Sequence, residues 1–209
     1  MKKLFIITMT LAAFTLQAQD VTFGAKAGLN FASLDITDSN IDGRTSFHLG
    51  ITAEFEMSDT FSIQSELLYS AQGATEDDGE TIGTTVYNDD YKFKLNYLQI
   101  PVMAKFYVSE GLSLEVGPQI GFLLSADVEN DYSTIDNGTV LDSGSIEIDY
   151  KDFMKSVDFG LNFGLGYKLD SGLNFGLRYN LGLNDVYDVD GSNTEIKNRV
   201  LQLSVGYNF

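Results

Sequence analysis

The chain has 209 residues, no cysteine and a formal net charge of −17. One domain accommodates that length. The lack of thiols excludes disulfides and thiolate metal sites, and the acidity argues against a nucleic-acid partner, since polyanions repel one another.

The first residues, Met1-Lys2-Lys3, are positive, residues 4–16 are almost wholly apolar, and Leu16-Gln17-Ala18 ends on a small residue. This order is that of a secretory signal peptide cleaved after Ala18, leaving 19–209 as the folded domain. The apolar run is shorter than the about 20 residues that a membrane helix requires. No cysteine follows it, so lipid attachment at a new N-terminal cysteine is excluded.

Apolar residues then fall on alternate positions in eight segments: 22–32, 47–57, 61–72, 98–106, 112–124, 157–168, 173–183 and 199–209. A strand turns successive side chains to opposite faces, so each segment has one apolar and one polar side. The last is the clearest, with Leu201, Leu203, Val205, Tyr207 and Phe209 against Gln202, Ser204, Gly206 and Asn208. Eight is an even number, and each strand is long enough to cross hydrocarbon at a tilt of the kind barrels adopt. Tight turns are expected at 58–60, 109–111 and 170–172. Long polar loops are expected at 35–45, 73–92, 126–152 and 185–198, facing outside the cell. The fold class is therefore all-β, an eight-stranded antiparallel up-and-down transmembrane barrel.

The apolar face bears no charge on any segment. The other carries Lys26, Glu54, Glu56, Glu66, Lys105, Glu115, Asp158, Lys168 and Arg178. A Lys or Arg facing the lipid midplane costs about 2–4 kcal/mol, so this face is assigned to the lumen, where opposite charges should pair. An eight-stranded interior is just wide enough for its own side chains, which predicts a plugged polar core. Tyr69, Tyr97, Tyr107, Tyr167, Tyr179, Tyr207 and Phe209 are read as interfacial aromatic belts.

The four long segments carry −2, −5, −7 and −3 respectively, nearly all of the acidity of residues 19–209. Asp188-Val-Asp190-Gly191-Ser192-Asn193 opens like a calcium loop but lacks the distal bidentate Glu, and reads as solvated acidic loop. No cofactor or metal is expected. His48 is the single histidine, expected inside the lumen with Glu66 as its orienting neighbour. Without converging partners it is not read as catalytic, and the chain is not read as an enzyme.

Several short stretches carry a family resemblance: Gly24-Ala-Lys-Ala-Gly28-Leu-Asn30, Tyr97-Leu-Gln-Ile-Pro101-Val, Gly117-Pro118-Gln-Ile-Gly121, Arg178-Tyr179-Asn-Leu-Gly182-Leu and the terminal aromatic. The chain resembles the outer-membrane β-barrel family of Bacteroidota, the porin-family or PorT-like barrels. The resemblance implies an outer-membrane location, surrounding lipid, and a C-terminal strand read by the barrel assembly machinery through Tyr207 and Phe209. It assigns no activity. The reading favoured is a structural or surface-interaction protein whose extracellular partner the sequence does not identify. A small porin-like channel or transport accessory is an alternative. So is a soluble lipocalin-like barrel, which would place the apolar face inside.

Overall fold

Alternation of apolar and polar residues becomes continuous pairing in the structure, a computed structural model that describes residues 21–36, 42–188 and 195–209. The expected signal peptide and positions 189–193 of the calcium-loop-like segment lie outside the described residues. Among the described residues nine strands follow in order: β1 (Val21–Ile36), β2 (Asp42–Ser58), β3 (Phe61–Ile82), β4 (Thr85–Ser109), β5 (Leu112–Asp136), β6 (Thr139–Asp149), β7 (Val157–Lys168), β8 (Leu173–Gly182) and β9 (Ile196–Asn208).

Eight of them close a ring. Each pairs antiparallel with the next, β5 pairs with β7, and β9 returns to β1 through pairs that run from Gly24↔Asn208 to Ile36↔Ile196. Closure leaves no free edge around the barrel wall. Tracing opposed residues from Leu173 through Tyr207, Ala25 and Ile51, and on through Ile100, Ile120 and Phe159, returns to Leu183, just past the end of β8. The register thus climbs about ten residues in one circuit, the stagger that a tilted barrel requires.

The tight turns lie together at one end, with Gly111 (φ 76°) and Gly172 (φ 88°) in the left-handed conformation that a short hairpin demands. At the other end β3, β4 and β5 run on past the rim, and β6 adds to β5 alone. This corrects the sequence reading. Segments 73–92 and 126–152, expected as loops, form most of a four-stranded sheet that extends the wall, and β6 is a strand that the alternation did not reveal.

The outward face is apolar all round. Phe23, Leu49, Ile51, Leu177, Leu203 and Val205 stand between 41% and 61% exposed, while Glu54, Glu66, Asp158 and Arg178 are buried. A lipocalin-like barrel requires the reverse. Two of the expected belt residues are misplaced, however. Tyr97 is fully buried, and Tyr107 donates its hydroxyl to the lumenal Glu54 at 2.5 Å. They share strand parity with Gln99 and Lys105, which face inward, so they do too. Tyr167, Tyr179, Tyr207 and Phe209 are exposed as belts require, and Tyr69 is half-buried.

The wall closes tightly where β4 meets β5 at Gly117. A Cβ there would lie 1.9 Å from the Val102 carbonyl oxygen and 2.9 Å from the Met103 Cα. Gly117→Ala is expected to destabilise the barrel by at least ~1–3 kcal/mol, because backbone rather than a flexible side chain must yield. Denaturant titration in micelles measures it, and an unchanged midpoint would contradict the packing.

Candidate functional site

Two regions bring chemistry-bearing side chains together, the lumen and the projecting sheet. In the lumen nearest the turns, Glu54 accepts from Ser62 (2.5 Å) and Tyr107 and pairs with Lys105 at 3.0 Å. Lys105 also donates to Gln64 at 3.1 Å and stands 3.8 Å from Glu115. At mid-height Arg178 grips Glu66 through both terminal nitrogens at 2.9 Å, and reaches Glu115 at 3.1 Å. Lys26 completes this group, 3.3 Å from Glu66. Gly166 makes room for it, since a Cβ there would sit 2.5 Å from a Glu115 carboxylate oxygen. Paired, bidentate geometry is what allows charges to persist away from water. Six of the nine charges assigned to the lumen therefore meet in one connected network.

The other three stand apart. Glu56 and Lys168 lie at the turn-side rim, 3.7 Å from each other and partly exposed. Asp158 has no cationic partner among the described residues. It accepts from Asn198 at 2.9 Å, while its Oδ1 has no hydrogen-bond partner among them. Above it Leu34, Ala74, Leu95, Tyr97, Leu123 and Ala126 pack into a buried apolar cluster at the mouth, which the alternation did not reveal.

His48 faces inward as expected, but its partners differ. Nδ1 meets Asn30 Oδ1 at 2.7 Å and Nε2 meets the Ser204 hydroxyl at 2.9 Å. Glu66 is opposite Thr52, four residues along β2 and so roughly 13 Å away, and is committed to Arg178 and Lys26. Ser204, His48 and Asn30 thus have the connectivity of a nucleophile, base and orienting group. The lumenal cavity that Ser204 shares with Lys26 and Arg178 is about 30 Å³. That is room for a water or two. Spacing did not point to this trio, because its members come from three different strands.

The projecting sheet has two unlike faces. On its outer face Lys92 and Lys94 on β4 meet Glu129 and Asp131 on β5, with Lys92–Glu129 at 3.1 Å, and Lys94 lies 3.7 Å from Glu147 on β6. Hydrogen bonds from Lys94 and Lys92 hold the Glu129 carboxyl below its ordinary range, and a hydrogen bond from Lys92 does the same to Asp131. Lowered carboxyl values mean that this cross-strand bonding is complete above the ordinary carboxylate range and is lost as pH falls through the lowered values. The inner face continues the lumenal side of the wall. From the mouth outward it carries Phe93, Val128 and Ile148, then Tyr91 beside Glu76, then Tyr132 beside Asp89, then Tyr87 beside Glu80. Among the described residues no His, Asp and Glu group has a metal-binding arrangement.

No curated protein matches the chain. Among solved structures it is similar to Ail, the attachment invasion locus protein of Yersinia pestis, at 13% identity and a TM-score of 0.47, covering 91% of this chain and 99% of that one. It is also similar to Neisserial surface protein A, at 12% identity and a TM-score of 0.49 over 91% and 99%. A third is the N-terminal β-barrel domain of Pseudomonas aeruginosa OprF, at 10% identity and a TM-score of 0.33 over 90% and 97%. Residues 17–188 match the model of one family, and with the closed, outwardly apolar ring they show that the chain belongs to the outer membrane protein beta-barrel domain family.

Proposed function

We propose that this protein is a structural and surface-interaction barrel whose lumen passes no solute and whose acidic sheet stands outside the cell. The observation that carries the reading is the layered lumen: the Glu54–Lys105 pair, the Glu66–Arg178–Glu115–Lys26 group and the apolar mouth lie one above another across a ring of eight strands. Porins, by contrast, use about 16–18 strands to leave an aqueous channel. The location of the sheet is supported by loop sorting, since barrels of this kind keep short turns on the periplasmic side.

The same reading has residues 1–18 directing export and lipid covering the apolar wall. Tyr207 and Phe209 are then presented to the barrel assembly machinery. Both rings are exposed at the end of β9, with centroids 5.8 Å apart. The motifs around Gly24, Tyr97 and Gly117 favour a PorT-like barrel of the Bacteroidota. No catalysis is assigned, because the cavity beside Ser204 is too small for a substrate.

Planar-bilayer recording tests the closed lumen. The purified protein is expected to give no steady conductance above leak, and a stable open level would replace this reading with the channel alternative.

A further inference from the structure

The two faces of the projecting sheet divide its charge unequally. Both lysines of the sheet, Lys92 and Lys94, lie on the outer face and are engaged there. The inner face has none. Its carboxylates are Glu76, Asp78 and Glu80 on β3, Asp89 on β4, Asp136 on β5 and Asp142 on β6, as the strand register places them. No Lys or Arg among the described residues pairs with any of these; Asp89 accepts a side-chain hydrogen bond from Asn130 at 3.0 Å, and Asp136 accepts from the hydroxyls of Thr84 at 2.6 Å and Thr85 at 3.3 Å. Between them stand Tyr87, Tyr91 and Tyr132, with Ile146 and Ile148 half-exposed beside them on β6. Tyr132 lies over Gly144, where a Cβ would come within 2.6 Å of its hydroxyl. The four strands make a platform about 14 Å wide and about 27 Å long, enough for an extended segment of about eight residues.

We propose that this inner face is a docking surface for a cationic, partly apolar peptide segment of a protein partner. The inference rests on the sheet lying outside the cell. Unpaired carboxylates select positive charge and speed its encounter. Tyrosine faces hold Lys or Arg by cation–π attraction, and the isoleucines bury intervening apolar side chains. Nucleic acid, anionic lipid and a second copy of this acidic face are all repelled by the same charges.

The test uses the full folded chain in nonionic micelles and a fluorescein-labelled decapeptide of alternating Lys and Leu, read by anisotropy against empty micelles. The quadruple variant E76Q/D78N/E80Q/D142N is expected to weaken binding about tenfold. D77N/D90N/E147Q/D149N changes the net charge equally on the opposite face and is expected to weaken it less than about twofold. Tyr132→Ser is expected to weaken it several-fold with every charge intact. All these positions are exposed or half-buried in solvent, and heat-dependent gel mobility checks that each variant folds. Equal losses from the two faces, equal binding of a Glu–Leu decapeptide, or no binding above empty micelles would overturn the proposal. A separate arm labels Ser143→Cys on intact cells with a membrane-impermeant maleimide. Absence of labelling defeats the extracellular placement, whereas equal losses defeat the docking surface alone.

Discussion

Replacing Glu66 with alanine is expected to lower the unfolding free energy by about 3–5 kcal/mol, the cost of leaving buried charges without their counter-ion. Glu66 is the hub of the lumen. It receives both terminal nitrogens of Arg178, the ammonium of Lys26 and the amide of Gln64 at 2.6 Å, and its side chain is wholly buried. Glu115 retains one contact to Arg178, but Lys26 has no other ion pair among the described residues. Glu56→Ala removes an equally charged residue from the 3.7 Å rim pair with Lys168, and should cost less than ~1 kcal/mol because both partners reach solvent. Urea titration in micelles or bilayers measures the two variants side by side. Comparable small losses would show that the lumen is wet enough to solvate its charges.

Leu203→Arg is expected to destabilise the inserted barrel by about 2–4 kcal/mol. Leu203 lies in the middle of β9, opposite Leu29 on β1 and Leu177 on β8, and all three side chains face outward. An arginine there must hold its guanidinium in hydrocarbon or drag water toward it. Val108→Arg is the matched control. Val108 also faces outward, 56% exposed, but lies next to the turn that follows Ser109, where the cost falls to about 0–1 kcal/mol. Refolding titrations into bilayers of defined thickness measure the difference. Equal costs at the two positions would mean that the apolar girdle does not follow bilayer depth.

The eight wall strands were legible because one side of each is apolar and faces outward and the other is polar and faces inward, so residue type alternates with period two. That cause ends at the rim. In Glu76-Asp77-Asp78-Gly79-Glu80 and Asp142-Ser143-Gly144-Ser145 both faces meet water, alternation fades, and the composition is that of loops. The ladder continues there through backbone pairing with β4 and β5, which composition does not encode. Lumenal parity was equally legible, and applied strictly it would have placed Tyr97 and Tyr107 inside. Position on the strand, not aromatic identity, decides which way these rings point. The partners of Glu66 and His48 were out of reach for a different reason. Arg178 and Ser204 come from strands across the barrel, and which side chains meet there depends on the stagger of the whole ring.

The pairing of β1 with β9 also sets a timetable. Gly24 finds Asn208 only when β9 has been delivered, so before then the chain has seven wall strands and two raw edges. Contacts so distant in sequence are slow to form, and an unfinished arc of alternating leucine and phenylalanine invites clumping meanwhile. The interval before β9 meets β1 is therefore when the chain is most exposed to association with its fellows.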